Sequence, residues 1–260
     1  MNASHSLSKS DFSEICYKKN FLTEVIARVD FLNPLPGIDK TMSHEVVNAI
    51  SKYFPISEPK TTIKRNIKIS PKGIEESSEK EIKEWTFHGK DHDKFVTLIE
   101  DAYFVKYTTF KSFEILLSEF ISGLSKIFDI NTDIQARRLG LRYINNLKIN
   151  IGDPLDWEEL INPSLIQTLK FSNNKSRISR AFNVLEFSYE DFNLRFQFGN
   201  FNPDFPARII QKQFILDFDT YFEGIQSLND ITNNLDKFHH EIQIMFESSI
   251  KDPIRALMNE

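Results

Sequence analysis

Two arginines and two aspartates have the spacing of a possible anion-binding or acid–base site. Arg138 and Arg142 lie in RRLGLRYINNLKIN (residues 137–150), and Asp217 and Asp219 lie in FILDFDTYF. Residues separated by an even number of positions along a strand point to the same face of the sheet, so the members of each pair share a face. Two guanidinium groups on one face can clamp a phosphate or a carboxylate. Two neighbouring carboxylates can divide the roles of acid and base.

The same four residues also fit a purely structural role. Apolar residues alternate with them in both stretches, which is typical of half-buried strands. Arg138 and Arg142 would form a cross-strand charge ladder if they faced Asp217, Asp219 or Glu186, and each pair would contribute roughly 0.2–1 kcal/mol. We favour the ladder and expect both aspartates on the solvent side of their strand. An anion site on the Arg138/Arg142 face is the alternative.

The remaining polar motifs do not predict a familiar catalytic or metal centre. His88 and His92 occur in HGKDHD, which we interpret as a solvated hairpin turn, and His239 and His240 as an exposed pair on the last helix. The sequence contains neither GxGxxG nor GxxxxGK[ST], which are the usual nucleotide-binding loops. It also lacks GxSxG, HExxH and paired CxxC motifs. We therefore expect no metal, no cofactor and no familiar enzyme class.

Composition limits the classes of partner. The net charge of −5 argues against nucleic acid as the main partner. The run KTTIKRNIKISPK could form a basic stripe through Lys60, Lys64, Arg65, Lys68 and Lys72, but lysines on an exposed edge strand also discourage strand pairing. The single cysteine, Cys16, fits a reducing cytoplasm. No apolar run is long enough to cross a membrane, and the polar N-terminus has no signal-peptide pattern.

Hydrophobic periodicity predicts an α+β fold with mostly antiparallel sheets covered by two long amphipathic helices. The long helices are expected over residues 111–128 and 227–250, the second with Ser227 and Asp230 at its N-terminus. Shorter helices are expected over 41–53 and near Trp157. Strands are expected at 21–31, within 61–109, at 137–150, 180–189, 192–199 and 214–222. Residues 71–83 are interpreted as an exposed hairpin or mobile loop.

The order of these elements suggests two similar strand–helix halves. We predict a flexible N-terminal lead over residues 1–18, a first half over 19–130 and a second half over 131–260. The halves are expected to pack as one globular unit. The 24 phenylalanines indicate a well-packed aromatic core.

Several stretches together resemble a sporadically distributed family of uncharacterised bacterial proteins of about this length. They are RLGLRYIN, FVKYTTFKSFEILLSEF, WEELINPSL and FDTYFEGIQSLNDITNNLDKFHHEIQIMFESSI. The RxGLRYIN strand is the family's most recognisable feature, and the resemblance covers residues 20 to 258. The family's patchy occurrence is that of genes carried on mobile elements, in defence loci or in toxin–antitoxin loci.

These observations lead to a functional expectation and an alternative. We expect a non-enzymatic cytoplasmic protein that binds another protein or a second copy of itself. The resemblance places it in an anti-phage defence or toxin–antitoxin set. The alternative is a sensor or enzyme that binds an anionic small molecule or a nucleic-acid end with Arg138, Arg142, Asp217 and Asp219.

Overall fold

The described part of the chain contains ten strands, four α-helices and two 3-10 helices. The computed structural model describes residues 17–70 and 73–260, with the backbone alone for 64–70, 73–78 and 80. The strands are β1 (Leu22–Phe31), β2 (Ile56–Ser57), β3 (Lys60–Ser70), β4 (Gly73–His88), β5 (Lys94–Leu98), β6 (Ala102–Tyr107), β7 (Ala136–Lys148), β8 (Ala181–Ser188), β9 (Asn193–Asn200) and β10 (Gln213–Gln226). The helices are α1 (His44–Ser51), α2 (Phe113–Ile130), α3 (Leu228–Ser249) and α4 (Asp252–Asn259), with 3-10 helices at Pro163–Lys170 and Lys175–Arg177.

The strands form an antiparallel sheet in the order β2-β4-β5-β6-β1-β7-β10-β9-β8, with β3 paired to β4. The α+β class is confirmed, and so are the two long helices, α2 and α3. The chain divides into two compact units that do not coincide with the halves 19–130 and 131–260. Of the described residues, one unit contains Val25–Gly140 and Phe222–Leu235, and the other contains residues 17–24, Leu141–Tyr221 and Asp236–Glu260. A duplication of the two halves stays a prediction.

In the unit that contains α2, this helix is favoured by an N-terminal cap and by an apolar stripe along one face. The Ser112 side chain accepts a hydrogen bond from the Ile115 backbone N–H, which caps the first turn. Apolar residues recur at helical spacing on one face, and Phe120 lies 5.3 Å, ring to ring, from Tyr103 of β6. Tyr103 shares its sheet face with Val29 of β1, because the two are register partners. The helix therefore covers the face of the sheet that carries the apolar residues.

Gly123 is where α2 approaches this face most closely, and it permits a test of the packing. A Cβ atom at position 123 would overlap the Tyr103 hydroxyl. That hydroxyl is fully buried and has no hydrogen-bond partner among the described residues. We expect Gly123→Ala to destabilise the protein by about 1–3 kcal/mol because overpacking forces the neighbours apart. Tyr103→Phe removes an unsatisfied polar group and is expected to be neutral or stabilising.

Urea denaturation of Gly123→Ala, Tyr103→Phe and the double variant checks both expectations. The double variant should recover part of the Gly123→Ala loss, since the clashing oxygen is gone. Strict additivity of the two free-energy changes would contradict the proposed contact.

The other unit has an aromatic core. Trp157 is fully buried, and its ring lies 5.2 Å from that of Phe214. Phe196 of β9 stacks on Phe218 of β10 with ring centroids 4.5 Å apart. Phe238 of α3 packs 5.2 Å from Phe192. The phenylalanines that alternate along FNLRFQF thus lie between their sheet and α3, as their spacing predicts.

The N-terminus of α3 is capped as the sequence predicts. The Asp230 backbone N–H donates to the Ser227 hydroxyl at 3.3 Å, and the Ser227 backbone N–H donates to the Asp230 carboxylate at 2.9 Å. This reciprocal pair satisfies two donors at the start of the helix.

Two local predictions are corrected. Residues 73–88 belong to β4, which pairs with β3 in a hairpin, so for residues 73–83 the hairpin alternative is confirmed and the mobile-loop alternative is wrong, while residues 71 and 72 lie outside the described residues. The register places Lys60 opposite Glu84 and Arg65 opposite Glu79, so the charges fit a paired strand. Trp157 lies in a turn, and the helical segment follows at Pro163–Lys170. After α3 ends at Ser249, the short helix α4 follows with Pro253 in its first turn, where proline is tolerated.

Candidate functional site

Arg142 is held by a carboxylate on a neighbouring segment of its own unit. Its Nε and Nη2 atoms donate to the two oxygens of Asp217 at 2.8 and 2.6 Å, a bidentate arrangement. These hydrogen bonds, followed by the nearby charges of Asp217, Asp219 and Glu24, raise the pKa of Arg142 above its ordinary value although burial opposes them. The guanidinium group therefore stays charged and is engaged with protein.

The expectation that Asp217 lies on the solvent side is wrong. The residue is only 6% exposed, although its neighbours Leu216 and Phe218 point to the apolar face. Asp217 is therefore buried beneath the Arg142 guanidinium group, while the Arg142 side chain itself stays 37% exposed. Asp219 is half-buried and is the register partner of Arg195 on β9.

Arg138 has looser partners that the sequence did not suggest. Its guanidinium nitrogens lie 3.8 Å from Asp30 of β1 and 3.8 Å from Glu223. Asp30 is buried and receives two closer hydrogen bonds, at 2.8 and 2.6 Å, from Arg28. Arg138 and Arg142 thus each face carboxylates, which is the arrangement of a charge ladder. Glu186, named as a possible partner, instead faces Arg195 at 3.7 Å.

The histidines do not assemble a metal centre in the described part of the chain. The rings of His88 and His92 lie 5.2 Å apart, and His88 Nε2 lies 3.4 Å from Glu58. His239 is half-buried, and its Nδ1 atom is 3.0 Å from the Tyr143 hydroxyl, so it is not an exposed residue. No group of three or more His, Cys, Asp or Glu side chains converges within residues 17–70 and 73–260.

A cluster around Glu119, which we name the Glu119 cluster (Lys94, Tyr107 and Glu119), was missed by sequence reasoning. Glu119 lies on the buried face of α2, and Lys94 Nζ donates to both of its oxygens at 2.6 Å. The Tyr107 hydroxyl also donates to this carboxylate. The available signal was a glutamate inside the apolar stripe of α2, between Leu116 and Phe120.

The Glu119 cluster lies at the base of a cleft of about 300 Å³. Lysines and acids alternate around the cleft: it is lined by Lys52, Lys90, Lys94, Lys111, Asp91, Asp93 and Glu119, among others. Burial, with help from the Glu119 hydrogen bond, raises the pKa of Tyr107 far above its ordinary value, so this hydroxyl remains a donor. The carboxylate accepts hydrogen bonds from both neighbours, so the arrangement is that of a satisfied buried ion pair.

Strand β8 combines an edge position in the sheet with exposed apolar side chains. It ends the strand order of the sheet, so one of its edges carries backbone groups that β9 does not pair. Three apolar side chains on it, Phe182, Val184 and Leu185, are 43–48% exposed. Phe182 and Val184 share a face with Gly199 and Gln197, opposite the buried phenylalanines of β9. An exposed apolar edge of this kind is a ready template for another strand.

Strand β3, which pairs only with β4 among the described strands, is basic where β8 is apolar. Strand β3 pairs with β4 and carries Lys60, Lys64, Arg65 and Lys68 at its register positions. The predicted basic stripe falls there, and its side chains beyond Lys60 lie outside the described residues. Lysine-rich edges discourage pairing, whereas the β8 sequence AFNVLEFS has no Lys, Arg or Pro.

Comparison with known proteins does not add a relative. No protein-family model matches the chain, and no curated protein matches it significantly. Among the described helices, none has the length and apolar character needed to cross a bilayer.

Proposed function

We propose that this protein is a non-enzymatic protein-interaction protein that binds an extended segment of its partner along the edge of β8 that no described strand pairs. The observation that carries the proposal is the exposed apolar edge strand. In strand addition the unpaired backbone groups supply affinity, and the side chains on alternate positions supply specificity. Phe182, Val184 and Leu185 offer apolar contacts on both faces of such an added strand.

The polar clusters support a binding role over a catalytic one. In the Glu119 cluster the carboxylate oxygens are occupied by Lys94 and Tyr107. On the arginine face, Arg142 is occupied by Asp217. A catalytic or anion-binding group has to offer hydrogen-bonding capacity to its substrate, and these groups commit part of theirs to one another: Arg142 uses two of the five N–H donors of a guanidinium group on Asp217. The sensor or enzyme alternative at Arg138, Arg142, Asp217 and Asp219 is therefore the weaker proposal.

The biological setting belongs to the proposal as well. We place the protein in the cytoplasm, as a component of an anti-phage defence or toxin–antitoxin set, on the strength of the family resemblance. In such sets one protein commonly acts by docking on another. The partner is another protein in this proposal, and a second copy of the chain would be an alternative occupant of the same edge.

Charge introduced on β8 tests the proposed docking edge. We expect the double variant Phe182→Lys/Val184→Lys to fold, because both side chains are already exposed, and to lose its partner, because the lysines oppose strand pairing. A photo-crosslinking residue at position 185 in the native host would covalently capture a neighbour, to be identified by mass spectrometry. The purified neighbour should then slow amide hydrogen exchange in β8.

Ile151→Lys is the matched control, since Ile151 is 81% exposed and lies in a loop of the same unit. This variant should bind the purified neighbour as well as the native protein does. Equal binding by Phe182→Lys/Val184→Lys, or unchanged amide exchange in β8, would refute docking on this edge.

A further inference from the structure

We propose that the segment bound by β8 is acidic, and that it is recognised by a basic surface beside the start of the strand. This inference rests on the proposed function and names the chemistry of the partner. We call the surface the basic shoulder and define it by Lys175, Arg177, Arg180 and Arg208.

The sequence next to β8 has an unusual charge distribution for an acidic protein. Between Glu159 and Glu186 there is no acidic residue, although the whole chain has a net charge of −5. The same interval holds Lys170, Lys175, Arg177 and Arg180. No acidic residue within this interval can therefore neutralise these positive charges.

The structure attaches this basic interval to β8 and to the loop that follows β9. The buried Asn202 amide donates to the Ser179 and Ala207 carbonyl oxygens, each at 2.8 Å. Arg208 Nε donates to the Ser176 carbonyl oxygen at 3.5 Å. Asn183 of β8 donates to the Thr168 hydroxyl at 3.3 Å. The basic shoulder is thus fixed at the N-terminal end of β8.

The charges of the basic shoulder are not neutralised within the described part of the chain. Lys170 is paired with Glu158 at 3.2 Å, but among the side chains that the structure describes no carboxylate forms an ion pair with Lys175, Arg177, Arg180 or Arg208. All four side chains are exposed. The nearest acid along the Phe201–Arg208 loop is Asp204, so the shoulder keeps an excess of positive charge.

Exposed aromatic side chains lie among these cations. Phe171 is 94% exposed, and the Arg180 guanidinium stacks over the half-exposed Phe205 ring at 4.0 Å. Aromatic residues and arginine are enriched at protein interfaces. An extended partner with apolar residues for Phe182 and Val184 and with acidic residues toward Arg177 and Arg180 would match both the edge and its shoulder. A single-stranded nucleic acid could match the cations and the aromatic rings, but it would not use the unpaired backbone of β8.

A display library of random nine-residue peptides tests this inference without an identified partner. The immobilised full-length protein should enrich peptides with alternating apolar residues and a clear excess of Asp and Glu. Arg177→Glu/Arg180→Glu should bind an enriched peptide about tenfold more weakly, because exposed ion pairs contribute modestly and reversal adds repulsion. Raising the salt concentration should weaken binding to the native protein.

The double variant Lys19→Glu/Lys148→Glu changes the net charge equally and is the matched control. It should bind the enriched peptide as the native protein does. Enriched peptides that require Phe182 and Val184 but carry no acidic excess would overturn this inference and leave the docking edge intact. Absence of any enrichment dependent on Phe182 and Val184 would refute both. A labelled twelve-nucleotide single strand provides the last outcome. If the native protein binds this strand, Arg177→Glu/Arg180→Glu does not, and no acidic peptides are enriched, the basic shoulder would be a nucleic-acid site and the inference of an acidic peptide partner would be overturned.

Discussion

Replacing Lys94 with alanine should lower the free energy of unfolding by about 3–5 kcal/mol. Glu119 is buried and both of its oxygens are bound by Lys94 Nζ at 2.6 Å. The substitution leaves a carboxylate in a desolvated position with Tyr107 as its remaining partner. A buried charge that loses its counter-ion costs more than the pair contributed, because its own desolvation is no longer compensated. Urea denaturation monitored by tryptophan fluorescence and circular dichroism measures the change.

Two further variants distinguish the cost of an unpaired buried charge from the cost of losing any ion pair. Lys94→Met/Glu119→Leu removes both ions and is expected to recover most of the lost stability, since apolar side chains of similar size often replace a buried ion pair without cost. Lys126→Ala removes the cation of an exposed pair on the same helix, whose Nζ lies 2.7 Å from Asp129. That change should cost less than about 1 kcal/mol. If Lys94→Ala cost no more than Lys126→Ala, the Glu119 cluster would have to be open to solvent.

Arg142→Ala should destabilise the protein by about 2–3 kcal/mol, because it leaves the buried Asp217 without its bidentate partner. Arg142→Lys keeps the charge but not the planar pair of donors, and about half of the loss is expected to remain. Thermal and urea unfolding of the three proteins would measure these differences.

Arg138→Ala is the matched comparison on the same strand. Its contacts to Asp30 and Glu223 are 3.8 Å long and partly exposed, so a loss below about 1 kcal/mol is expected. An Arg142→Ala protein as stable as the native one would contradict the structural role of this arginine. It would favour the anion-binding alternative, in which the guanidinium group is kept for a ligand.

The Glu119 cluster shows why a sequence can contain a site without revealing it. Lys94, Tyr107 and Glu119 belong to three different elements and lie up to 25 positions apart. Each is unremarkable locally, because strands and helices routinely carry such residues on their polar sides. The one irregularity is a glutamate among the apolar positions of α2. It indicated a buried carboxylate, but its partner depended on which strand lies under the helix.

The predictions that depend on local periodicity were confirmed. Apolar residues recur every second position in the strand at residues 137–150 and every three or four positions in α2 and α3. These two spacings follow from the backbone geometry of strands and helices. The Ser227 cap is equally local, because its partner is three residues away. The α+β class follows from the order of such elements. The sequence by itself therefore determined the α+β class, the strand at residues 137–150 and the two long helices with their apolar faces.

Only the tertiary structure decided how the polar faces are used. Asp217 was expected in water because its strand alternates, but its exposure depends on Arg142, which lies 75 residues away along the chain. Whether β8 has a neighbour on both sides depends on the strand order, which alternation does not encode. The same applies to the basic shoulder, because which described carboxylates lie near its cations depends on how the chain packs. Pairing between distant residues is set by the free energy of the whole fold, so it cannot be predicted from a local sequence pattern.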